Sequence, residues 1–115
     1  MRKIILSAFT VALLASCGAN QSNSTASNSR ESFKVYGNCG MCEKTIEGSL
    51  TNVDGVTSAD WNKETKQMEV AFDTTVISIN DVKLKIAGVG YDMENVRADE
   101  SVYSTLPGCC QYDRP

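Results

Sequence analysis

The chain has 115 residues, 11 basic and 14 acidic side chains, a formal net charge of −3 and no histidine. This length holds one small domain, and the acidic balance argues against nucleic-acid binding, which needs basic patches. Without histidine there is no His-containing zinc site and no Cys/His nucleophile pair. With Glu43 after the Cys39–Cys42 spacing, there is no c-type haem attachment either.

In chain order, Arg2 and Lys3 precede a largely apolar run at residues 4–15. The run is shorter than the ~20 residues a membrane-spanning helix needs, so residues 1–16 are expected to be an export signal peptide. Leu14-Ala15-Ser16-Cys17 resembles the lipobox of bacterial lipoproteins. That resemblance implies cleavage before Cys17, a lipid on Cys17 and a lipid-anchored, periplasm-facing place in the cell envelope. Loss of Arg2 and Lys3 leaves nine basic residues against 14 acidic, a net charge of −5. Residues 18–31 are rich in Ser and Asn and lack large apolar side chains. With the lipidated Cys17 they are expected to form a flexible linker, with a root-mean-square reach of roughly 20 Å.

Alternation of Phe33 and Val35 with Lys34 predicts a first strand at residues 32–36. A glycine-bearing loop follows at residues 37–41. Cys42, Ile46, Leu50 and Val53 then recur at helical spacing, predicting a helix over about residues 42–52. Residues 56–62 and 67–72 read as two strands joined by the polar turn 62–65. Ala59, Trp61, Met68, Val70 and Phe72 are directed at the core. Ser78 and Asp81 form a short capping box for a second helix, with Ile79, Val82, Ile86 and Val89 as its buried stripe and Gly88 and Gly90 at its end. Residues 91–96 read as a last short strand. The order β-α-β-β-α-β is the split-βαβ, ferredoxin-like arrangement. It predicts an α+β sandwich at residues 32–98, a four-stranded antiparallel sheet with two helices on one face. Residues 99–115 form a tail outside that unit, which Pro107 and Gly108 make a turn rather than a further helix or strand.

The chemistry lies in Cys39-Gly40-Met41-Cys42. One thiol sits on the loop and one at the helix start, where the positive end of the helix favours thiolate. Two thiolates without a hard ligand suit a soft ion, above all Cu(I). From spacing alone a structural disulfide or half of a zinc site fits as well. Met41 is either a weak thioether ligand or a side chain facing solvent or a partner.

A Cys-x-x-Cys between the first strand and first helix of this topology resembles the heavy-metal-associated domain of copper chaperones, copper-pumping ATPases and periplasmic mercury-binding proteins. On that resemblance, Cys39 and Cys42 match the metal-binding pair and Ile46 and Leu50 the buried stripe of the first helix. Asp54-Gly55-Val56 matches the turn into the second strand, and Gly90-Tyr91-Asp92 the loop that sets an aromatic residue beside the metal. Tyr91 would then shield the site or donate to a cysteine sulfur. The resemblance fails at Gly37, where the usual pattern has Met packed under the loop. It also implies a copper-transporting or efflux partner that docks transiently, and the sharing of one ion between two chains.

Five cysteines are an odd number for an exported protein, and lipidation of Cys17 leaves Cys39, Cys42, Cys109 and Cys110. Cys109 and Cys110 either complete a site with Cys39 and Cys42, form a disulfide with one of them, or lie in a frayed tail. The leading expectation is a Cu(I) metallochaperone or scavenger acting by thiolate exchange. A thiol–disulfide redox protein is the second reading, although both prolines lie in the tail, away from the Cys-x-x-Cys. A Zn(II)- or Hg(II)-binding protein using four cysteines is the third. No constellation of side chains supports catalysis, and the chain is not expected to be an enzyme.

Overall fold

Met68, Val70 and Phe72 are buried while the alternate residues Gln67 and Glu69 are exposed, as one-sided burial of a strand requires. This strand is the centre of the computed structural model, which describes residues 28–115. The expected signal segment, Cys17 and the linker up to residue 27 lie outside the described residues. Three strands form the sheet: β1 (Asn28–Lys34), β2 (Val56–Trp61) and β3 (Gln67–Asp73), in the order β1-β3-β2, antiparallel throughout. Helix α1 spans Gly40–Gly48, α2 spans Ile79–Ala87, and a short α3 spans Glu100–Tyr103. Among the described residues no helix is long and apolar enough to cross a membrane.

The two long helices bury the stripes their periodicity predicts. Cys42 and Ile46 of α1, with Leu50 beyond its end, join Val82 and Ile86 of α2 against Met68, Val70 and Phe72. Both helices therefore cover the same face of the sheet. Helix α2 starts at the expected capping box: Asp81 N donates to Ser78 Oγ at 3.1 Å and Ser78 N to an Asp81 carboxylate oxygen at 3.4 Å. The β2–β3 hairpin turns where expected, because the side-chain oxygen of Asn62 accepts from Glu64 N at 2.8 Å and Thr65 N at 3.0 Å.

Four expectations need correction. The first strand begins at Asn28, inside the stretch read as linker. β3 runs on to Asp73 and offers its backbone as far as the Asn28–Asp73 pair, so small polar residues suffice. Helix α1 starts at Gly40 and ends at Gly48, the chain continuing in turns to residue 52.

The fourth strand is reduced to a single bridge between Val35 and Met93. Tyr36 N donates to Asp92 O at 2.9 Å, but Met93 N turns back to Val96 O at 2.8 Å, and Asp92 N is taken by the Tyr112 hydroxyl at 2.8 Å. The backbone groups that would extend a ladder are satisfied locally and by the tail.

The tail is not a plain turn. It carries α3 and a 3-10 turn at Gly108–Cys110, and it buries Cys110 and Tyr112.

Candidate metal centre

The loop after β1 is held from beneath. Gly37 is buried, and a Cβ there would lie 2.9 Å from the Trp61 indole and 3.3 Å from the Cys42 Cβ. Trp61 Nε1 donates to Val35 O at 3.0 Å, and Trp61 N donates to Glu47 at 2.9 Å. The indole thus occupies the space under the loop and ties it to β2 and α1. Only glycine lets the chain pass over the ring so closely.

Cys39 is the N-cap residue of α1, in extended conformation, and Cys42 lies in the first turn. Their sulfurs are 3.9 Å apart. Cys39 is partly exposed, and the backbone N–H groups of Cys42 and then Met41 hold its thiol below the ordinary value. Cys42 is fully buried, and its sulfur accepts from Asn38 N at 3.3 Å.

The third sulfur comes from the tail. Cys110 is buried, and the sulfurs of Cys39, Cys42 and Cys110 all lie within 4.8 Å of one another. Burial, with the Cys42 thiol beside it, pushes the Cys110 thiol up to about 12. The adjacent Cys109 lies on the solvent side of Cys110. Its exposed sulfur is 3.8 Å from that of Cys110 and donates to Met41 Sδ at 3.5 Å. A four-cysteine set is therefore not assembled around one point. Among the described residues, Cys39, Cys42, Cys109 and Cys110 are all free thiols. Met41 is 52% exposed, with its sulfur against that of Cys109.

Tyr91 is fully buried beneath the sulfurs, and its hydroxyl has no hydrogen-bond partner among the described residues. Burial and then the Cys42 and Cys110 thiols facing it raise its pKa well above the ordinary phenol value.

Contacts made by the tail seat Cys110. Tyr112 stacks on Tyr91, with ring centroids 5.6 Å apart, and its hydroxyl donates to Gly90 O at 2.9 Å. Arg114 grips the fully buried Asp92 through two bonds of 2.7 and 2.8 Å and reaches Glu100 at 2.6 Å. Burial works against the Asp92 carboxylate. The Arg114 guanidinium, Ala98 N and Tyr112 outweigh it and hold the carboxyl below its usual range. Asn38 Nδ2 donates to Cys109 O at 3.3 Å, joining the tail to the loop.

Sequence reasoning singled out Cys39, Cys42, Cys110 and Tyr91, and the fold brings them together. It missed Trp61 as the floor of the loop, along with Asn38, Asp92, Tyr112 and Arg114. The one available signal for the tail was an aromatic and a basic residue just after Cys109-Cys110, in a stretch otherwise without apolar periodicity. The assembled donor set is all sulfur, which suits a soft ion better than a hard one.

The heavy-metal-associated domain profile matches residues 34–92. The copper chaperone CopZ of Staphylococcus aureus is 41% identical over 66 residues, covering 56% of this chain and 97% of that protein. A solved CopZ metallochaperone shares 41% identity with a TM-score of 0.54, over 56% of this chain and 98% of its own. The water-soluble region of the P-type ATPase CopA from Bacillus subtilis is 28% identical with a TM-score of 0.55, over 57% of this chain and 44% of that one. On the matched profile, its Cys-x-x-Cys loop and its ferredoxin-like neighbours, this chain belongs to the heavy-metal-associated domain family.

Proposed function

We propose that this chain binds Cu(I) in the cell envelope, as a metallochaperone or scavenger, and exchanges the ion with a partner by thiolate substitution. The observation that carries this reading is the cluster of three sulfurs within 4.8 Å at the start of α1. Cys39 and Cys42 are the primary ligands and Cys110 is the third. Cu(I) accepts two or three soft ligands readily, and no imidazole or carboxylate competes in the cluster. Tyr91 shields the inner side. The similarity to a copper chaperone and to the soluble region of a P-type ATPase supports copper as the ion and a membrane copper transporter as the docking partner. Lipidation at Cys17 anchors the protein, and the linker gives the domain reach. The protein binds and hands on an ion rather than catalysing a reaction. With three sulfurs from one chain, pairing of two chains around an ion is not required.

Competitive titration of the reduced chain with Cu(I) against a chelator tests this. We expect tight uptake of about one ion per chain. Cys39→Ser should weaken it by more than the roughly 10–100-fold that loss of an outer partner costs. Failure of the wild-type chain to compete for Cu(I) would end the copper reading.

A further inference from the structure

The three inner sulfurs are poorly open to an arriving ion: Cys42 is 0% and Cys110 1% exposed, Tyr91 closes the side beneath them, and Cys39 is only partly exposed. A metal site needs a way in. Directly outside it stand two further sulfurs that the proposed function does not use. Cys109 Sγ and Met41 Sδ are 3.5 Å apart and both residues are exposed. Among the described residues, Met41 is one of the few large apolar side chains left in solvent, at 52%, so core packing does not account for it.

The placement of this pair is built. Met41 projects from the first turn of α1, and the carbonyl of Cys109 is held by Asn38 Nδ2 at 3.3 Å and met by the Cys39 thiol at 3.8 Å. From Cys109 the next sulfur inward is Cys110, at 3.8 Å, and Cys110 belongs to the three-sulfur cluster. A path of sulfurs therefore leads from solvent to the buried cluster in steps shorter than 5 Å.

We propose that Cys109 and Met41 form an outer landing site through which Cu(I) enters and leaves the inner site. The proposal rests on the Cu(I) reading above. The adjacent cysteines divide the work: Cys110 retains the ion and Cys109 passes it. The donor is a Cu(I) thiolate or a Cu(I) chelate. As the donor's bond to the ion breaks, the Cys109 thiol gives its proton to water and its sulfur binds the ion, with the Met41 thioether as second ligand. Bonds from Cys110, Cys39 and Cys42 then form as those to Met41 and Cys109 break. Of the protons these inner thiols release on binding, one returns to Cys109 and the others pass to water. Copper stays Cu(I) throughout, and no electrons are exchanged.

Stopped-flow transfer from Cu(I)–bicinchoninate to the full reduced chain tests the path, since the chelate loses its colour as the ion leaves. Cys109→Ser and Met41→Leu should each slow transfer roughly tenfold. The double variant should be little slower than Cys109→Ser alone, because the two sulfurs act as one site. Leu84→Ala, an exposed change on α2, should transfer at the wild-type rate. Wild-type rates in both sulfur variants would overturn the proposal. So would a fall in the number of sulfurs around copper in Cys109→Ser, which would make Cys109 an inner ligand. A wild-type chain that takes no Cu(I) would overturn the parent reading and this path with it. That result is distinguishable because it precedes any comparison of variants.

Discussion

At the scale of single residues, the site depends on a contact between Gly37 and Trp61. The indole fills the space beneath the loop, and a Cβ at residue 37 would approach it to 2.9 Å. Gly37→Ala should therefore cost about 1–3 kcal/mol, the usual range for overpacking. Urea unfolding followed by the fluorescence of Trp61, the only tryptophan, would measure it. An unchanged midpoint would mean that the ring yields freely.

The thiols differ in a second testable way. In the metal-free reduced protein Cys39 is held below the ordinary thiol pKa by backbone N–H groups, and Cys110 is pushed up to about 12 by burial. Alkylation with iodoacetamide near neutral pH, read by peptide mass mapping, should label Cys39 well before Cys110. Equal labelling would contradict the buried placement of Cys110. The Cys-x-x-Cys was legible because its spacing is local. Gly37 was legible as a turn residue and as a departure from the family's Met, and Trp61 only as core, because their contact joins segments far apart in sequence.

At the scale of elements, the tail behaves as a strap whose buried ion pair is Arg114 on Asp92. Asp92 is fully buried and its partner Arg114 nearly so. Losing one member of such a pair costs about 3–5 kcal/mol, because the other charge stays buried alone. In Arg114→Met the tail should release, exposing Cys110 to thiol reagents at neutral pH. Acid should have the same effect on the wild type. The Asp92 carboxyl titrates below its ordinary value in the folded protein, so its contribution is complete above about pH 4 and is lost as the pH falls through the folded pKa. The reactivity of Cys110 toward 2,2′-dipyridyl disulfide, which works in acid, should rise over that range. It should rise less in Arg114→Met, where the strap is already loose. A flat profile in the wild type would remove Asp92 from the account.

The same contacts explain where reading by element fell short. The helices α1 and α2 and the β2–β3 hairpin followed from periodicity and capping residues. The fourth strand did not form beyond one bridge, because Tyr112 takes the Asp92 backbone N–H. No local pattern announces a hydroxyl arriving from 20 residues away.

At the scale of the whole molecule, family membership and site composition separate. The family profile ends at residue 92, whereas Cys110, Tyr112 and Arg114 lie beyond it. The domain supplies two sulfurs and the tail supplies the third, so likeness to copper chaperones accounts for the loop but not for the closure over it. The sequence made the tail cysteines conspicuous but left their role open. Two neighbouring cysteines, one buried and one exposed, are distinguished only once the tail is docked.

The most direct test is X-ray absorption at the copper edge on the Cu(I)-loaded chain and its Cys110→Ser variant. A domain closed by its tail predicts copper bound by about three sulfurs in the wild type and about two in the variant. Two sulfurs in both, with Cys110 still open to alkylation in the loaded protein, would contradict it.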